Sequence, residues 1–229
     1  MTWLLWLGLF ACLLAVAAVG LTALGSKRWT ESMGALTRRL EATRNDGTLK
    51  PPYPTHYDSR ELEGLPAPVQ RYFRAVLKDG QPVVAALTIE MAGTINMSAS
   101  AEQWKPFTSR QRVVTRRPGF VWDAEVVMLP GVPVRVVDSY IAASGLLHAA
   151  MLGIFTVAEI SGGGEIARGE FMRFLAEAAW YPTALLPSQG IRWEAIDEHS
   201  ANASIVDGPL ALTLLFRFND AGLIELVRA

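Results

Sequence analysis

A chain of 229 residues with a formal net charge of −1 and a single cysteine has room for one or two domains. The near-neutral balance, with no basic stripe interleaved with aromatics, excludes the electrostatic footprint of a nucleic-acid binder. Cys12 being alone, a disulfide within the chain and a cysteine-based zinc site are excluded too.

From Trp3 to Gly25 there is no charged residue. As a helix this run would extend roughly 34 Å, enough for a hydrocarbon core of ~30 Å. The expectation is an uncleaved transmembrane anchor over residues 1–26, making this a single-pass protein of the cell membrane with bilayer lipid as its first partner. A cleaved signal peptide competes, because Ala23-Leu24-Gly25 precedes Ser26. Against it, Met1-Thr2 carries no basic charge, and the apolar run exceeds the usual h-region. A lipoprotein reading of Leu9-Phe10-Ala11-Cys12 is weaker, since more apolar sequence follows Cys12 than precedes it. Sidedness stays open. Lys27, Arg28, Arg38, Arg39 and Arg44 follow the span and none precedes it, which places the rest of the chain in the cytoplasm; the fold analogy below points outward.

Residues 27–57 read as a juxtamembrane helix and a Pro-rich linker. Thr30 to Leu40 has helical spacing, either placing Arg38 and Arg39 against anionic lipid or forming a solvated linker helix. Asn45-Asp46-Gly47 breaks it, and Pro51, Pro52 and Pro54 form a stiff spacer.

The β-rich domain is expected over 58–229. Leu65 to Leu77 predicts a helix with Val69, Tyr72, Phe73 and Val76 on one face. From Val83 the period changes to two, with Gly93 read as a bulge or bend. Further strands follow over 107–115, 120–129, 132–141 and 146–160, separated by Pro/Gly turns. After Ser161-Gly162-Gly163-Gly164 comes an amphipathic helix. Phe171, Phe174, Leu175 and Ala178 share its apolar face, while Glu170, Arg173 and Glu177 are assigned to the opposite, solvated one. Pro182 ends this segment, and strands return over 191–196, 201–206, 210–218 and 223–227. The fold class is therefore α+β: a transmembrane helix, then a curved antiparallel sheet in the form of a partial barrel with covering helices. An unprotected final strand ending at Ala229 raises the expectation of a domain that continues beyond it.

The runs Arg168-Gly169-Glu170, Trp180-Tyr181-Pro182-Thr183-Ala184-Leu185-Leu186-Pro187 and Ile191-Arg192-Trp193-Glu194 carry a resemblance, as do Phe120-Val121-Trp122-Asp123-Ala124 and Pro133 to Asp138. Over Leu65 to Ala229 the chain resembles an uncharacterised bacterial membrane-anchored family, of the domain of unknown function 6544 or 6920 type. The resemblance implies a β-rich domain with further strands past Ala229, and no established activity, so it supplies no catalytic residue. A curved sheet under a helix is also similar to periplasmic lipoprotein-carrier folds, a likeness of fold alone.

Candidate chemistry is sparse. Glu170 and Glu177 could pair as carboxylates beside Arg168 and Arg173, but solvated charge explains them as well. Asp123 and Glu125 can be paired across strands by Arg112, Arg116 or Arg135. His56, His148 and His199 lack partners at helical spacing, so no metal site is expected, and no cofactor. Leu210, Leu212, Leu214, Phe216 and Phe218 make either a ligand wall or a plain core strand. Trp122, Phe171, Trp180, Tyr181, Trp193 and Phe216 are the candidate ligand-binding residues, with core filling as the alternative. The function read from these features is non-enzymatic binding of an apolar or lipid-like molecule near the bilayer. The alternatives are a membrane-tethered scaffold for an unidentified protein partner and a hydrolase using Glu170 or Glu177.

Overall fold

The computed structural model describes residues 2–45, 53–98, 100–129 and 132–229. The strands pair into two sheets instead of one curved partial barrel, and neither sheet closes on itself. The first is a six-stranded antiparallel meander in sequence order: β1 (Ala86–Asn96), β2 (Trp104–Val114), β3 (Gly119–Leu129), β4 (Val132–Ile141), β5 (Ser144–Met151) and β6 (Phe155–Gly162). The second holds β7 (Arg192–Ala195), β8 (Ser200–Asp207), β9 (Leu210–Phe218) and β10 (Ile224–Arg228), in the order β10-β9-β8-β7.

Long strands pair in register except for shifts between Val127 and Leu129 and between Ala149 and Ala150, so side chains line up in rows across the sheet. On its inner face one row reads Leu87, Val113, Phe120, Tyr140, Gly145, Gly162, and the next Ile89, Gln111, Trp122, Asp138, Leu147, Ile160. A third reads Met91, Ser109, Ala124, Val136, Ala149, Ala158, and a fourth Gly93, Phe107, Val126, Val134, Met151, Phe155. The bulge expected at Gly93 is absent, since pairing with β2 runs unbroken through it. Phe107 sits opposite, its ring carbon 3.6 Å from where a Cβ would stand, so an aromatic covers the bare strand position.

The α-helices among the described residues are α1 (Thr2–Ala42), α2 (Ala67–Val76) and α3 (Glu165–Glu177). The apolar residues of α3 enter the main core, where Phe171, Phe174 and Leu175 are buried and the Phe171 ring stacks on Tyr140 at 4.7 Å. Its start lies so close to β5 that a Cβ on Gly145 would sit 2.7 Å from the Ile166 backbone, a fit open to glycine alone. Because α3 touches β9 on one side and β3 to β6 on the other, it is a layer between two sheets and not an outer cover. α2 closes the core from the second sheet, with Tyr72 and Phe73 against Phe218 and Trp193. Leu212, Leu214, Phe216 and Phe218 all point into this core.

The stretch from Thr30 to Leu40 is helical but not a solvated linker. It is the second half of α1, and its apolar face lies on the outer side of the first sheet, where Trp29 and Leu40 pack with Val114, Val121, Val137 and Ile141. Contact begins at Gly25, where a Cβ would fall 2.0 Å from the Leu152 carbonyl oxygen. Among the described residues no helix is long and apolar enough to cross a membrane. The transmembrane expectation therefore rests on the uncharged sequence of residues 3–25.

Candidate functional site

Glu170, Arg173 and Glu177 recur at i, i+3 and i+7, so they share one face of α3. That face is not solvated. It lies on the inner row that carries Gln111, Trp122 and Asp138, because α3 has a sheet on each side and must bury two of its faces. Arg173 donates from Nη1 to Asp138 Oδ2 at 2.8 Å and from Nε to Glu177 Oε1 at 2.7 Å. Its guanidinium also stands over the rings of Trp122 and Phe120, 4.8 and 5.0 Å from their centroids. Gln111 Nε2 donates to the other oxygen of Glu177 at 2.5 Å.

This network has three carboxylates and one cation. Burial raises the Glu170 carboxyl to about 7, and the neighbouring Asp138 charge adds to that shift. Asp138 is raised as well, chiefly by burial, with Arg173 opposing. Glu170 is only 8% exposed. Near neutral pH its carboxyl is therefore poised between a proton donor and an anion.

Five buried polar atoms in this region have no hydrogen-bond partner among the described residues: Ser109 Oγ, Gln111 Oε1, Trp122 Nε1, Asp138 Oδ1 and Glu170 Oε2. Four belong to adjacent strands β2, β3 and β4, and the fifth to the helix above them. Each such group costs about 1–3 kcal/mol when left unpaired in an apolar setting, so their convergence is an expensive feature for mere packing. Together they offer one indole donor, carboxylate and amide acceptors, and a hydroxyl and a titrating carboxyl that can play either part.

Past this cluster the inner face becomes apolar and less covered. Ile89, Met91, Phe107 and Val136 are only partly buried, and Met151, Phe155 and Ile160 are exposed. A cleft of about 620 Å³ lies on the opposite side, between α1 and the outer sheet face, lined by Met33, Thr37, Thr88, Arg112 and Asp123 among others. None of the six predicted ligand-binding residues lines that cleft.

Those six are dispersed. Trp122 belongs to the polar cluster, and Phe171 lies behind it on Tyr140. Trp193 and Phe216 pack edge to face at 5.2 Å, with the Trp193 indole donating to the Leu185 carbonyl. Tyr181 is closed off beside Phe174, whereas Trp180 is 58% exposed. Ser109 and Gln111 were not singled out from the sequence. The signal was there in the alternation: both occupy the phase of Phe107 and Val113, where a buried strand should place apolar residues, as Asp138 does between Val136 and Tyr140. Asp123 is used structurally on the other face, accepting from Trp29 Nε1 at 2.8 Å, and Glu125 pairs with Arg135 at 2.9 Å.

Fold and site together define an α+β protein whose two antiparallel sheets enclose a helix, with a charged seam under that helix. Residues 63–229 match the model of a family of unknown function, DUF6920, and the chain belongs to that family. No curated protein and no solved structure gives a match.

Proposed function

We propose that this is a membrane-anchored domain that holds an amphipathic, lipid-like molecule on the inner face of its six-stranded sheet. Residues 3–25 would be the single-pass anchor, on the strength of their uncharged sequence, their length as a helix and the exposure of the apolar side chains described there. The apolar part of the ligand would follow the rows of Met91 and Phe107, and its polar part would meet Ser109, Gln111, Trp122, Asp138 and Glu170. The observation that carries this reading is the meeting of five unpartnered buried polar atoms with a partly uncovered apolar sheet face. Phe171, Tyr181, Trp193 and Phe216 would form the packed floor behind the ligand and not its wall.

Against a hydrolase using Glu177, both oxygens of that carboxylate are already engaged, one by Arg173 and the other by Gln111. Full-length protein extracted into detergent and examined by native mass spectrometry should retain a stoichiometric lipid, and Ser109→Ala with Gln111→Leu should lose it. Retention unchanged in that double variant would remove the polar cluster from the reading. An empty, well-folded wild type would remove the reading itself.

A scaffold role has one observation in its favour. β6 is an edge strand without proline or lysine, and Phe155, Val157 and Ile160 on it are exposed, the form taken by edges that accept a strand from a partner. Replacing Val157 with Pro would abolish such an association and leave lipid retention intact.

A further inference from the structure

We infer that the hairpin-tip end of the six-stranded sheet sits in the headgroup layer of the same bilayer that holds the N-terminal segment, an inference that rests on the anchor proposed above. β1, β3 and β5 end and β2, β4 and β6 begin at one end of the meander, and the β2–β3 and β4–β5 connections lie at the other. α1 crosses the outer face from one end to the other. At the tip end Gly25 touches Leu152 and Ile154 of the β5–β6 turn, and Gly153 lies against Gly25 and Trp29. At the far end Leu40 reaches Gly119, its Cδ1 2.8 Å from where a Cβ would stand.

The helix is continuous from Thr2 to Ala42, so the residues before Gly25 project past the hairpin tips. If they cross a bilayer, the tips meet its surface. The side chains there suit that position: Met97, Trp104, Val127, Met151 and Phe155 are all exposed. At the opposite end the turns consist of Thr115-Arg116-Arg117-Pro118 and Ala142-Ala143, with no large aliphatic or aromatic residue. An exposed Trp beside a Lys is the pairing that settles at headgroup depth, and Trp104-Lys105 supplies it, with Lys27 and Arg28 just past Gly25; Glu102 is the opposing charge at these tips. The open end of the inner apolar face, the row of Phe107, Val134, Met151 and Phe155, then faces the lipid directly. A molecule leaving the bilayer would reach the polar cluster without crossing water.

The test uses the full chain in nanodiscs of phosphatidylcholine with phosphatidylglycerol. In a Cys12→Ala background, single cysteines at Trp104→Cys, Phe155→Cys, Arg116→Cys and Leu13→Cys carry an environment-sensitive fluorophore, and lipids bearing a spin label close to the headgroup act as quenchers. The expected result is a blue shift and loss of emission at 104 and 155, none at 116, and a blue-shifted, buried signal at 13. If 13 is buried while 104 and 155 behave like 116, the anchor stands and the tip inference falls. Quenching at 116 equal to that at the tips overturns it too, because the domain would then lie flat. A water-exposed signal at 13 removes the anchor and the inference with it.

Discussion

The two faces of the six-stranded sheet make a natural comparison, because both carry charge and they treat it differently. On the outer face Glu125 stands opposite Arg135 and pairs with it, Arg112 reaches Glu41 of α1 at 2.6 Å, and Asp123 accepts from Trp29. Each of these acids has a partner, and the second half of α1 is held there by apolar contacts and these bonds. On the inner face Asp138 and Glu177 share one arginine, Glu170 lies beside them outside its reach, and five polar atoms nearby have no partner among the described residues. A charge that is paired holds a fold together; a buried polar atom left unpaired is a standing cost that a ligand can relieve.

The comparison is broken most severely at Arg173. Arg173→Met would leave the part-buried Asp138 and Glu177 without a cation and should lower stability by about 3 kcal/mol at neutral pH, the low end for breaking a buried pair. Urea denaturation reads this, and acidification should restore part of the loss; a change of under about 1 kcal/mol would mean the network is solvated after all.

Trp29→Phe acts on the other face. It keeps the ring against the sheet but leaves Asp123 without its donor, and burial already raises that carboxyl, so a loss of about 1–3 kcal/mol is expected. Hydrogen exchange should show faster opening in the second half of α1 and unchanged protection in β8 and β9.

Glu170→Gln sharpens the contrast through pH. The carboxyl titrates at about 7 in the folded protein, against a usual value of 4.5. Between these two values the unfolded chain has released its proton while the folded one keeps it, so wild-type stability falls as pH rises through that window and levels off above it. The Gln variant should lose this slope, as measured by thermal melts across the window. A slope that persists would assign it to Asp138.

The smallest effect is expected at Ser109. Removing a buried hydroxyl that makes no bond should cost almost nothing, so Ser109→Ala should lie within about 1 kcal/mol of wild type, on the stabilising side. A marked loss of stability would show that the hydroxyl is structural.

Most elements were legible along the chain. Period two in 107–115 and 120–129 and period 3.6 from Arg168 arise from which side chains neighbour one another locally, and those elements stand close to where the periodicity put them; the segment read over 146–160 is instead two strands, Ser144–Met151 and Phe155–Gly162, because the turn at Leu152 and Gly153 folds it back on itself. The site was legible only as an irregularity, since Ser109, Gln111 and Asp138 are polar residues in an apolar phase. Glu170 shows why the rest was not. Its neighbours on α3 alternate as on any surface helix, and nothing in that pattern reveals that the charged face also meets a sheet.

By itself, the sequence determined the α+β class, the approximate positions of strands and helices, the uncharged N-terminal run and the likeness to a family to which residues 63–229 indeed belong. Tertiary structure alone decided that the strands divide into two sheets, that the second half of α1 docks on one of them, and that α3 lies between both. The physical reason is range. Periodicity reports on the side chains of one segment, whereas sheet membership and the burial of Glu170 depend on residues far along the chain, whose choice of partner is a property of the whole core.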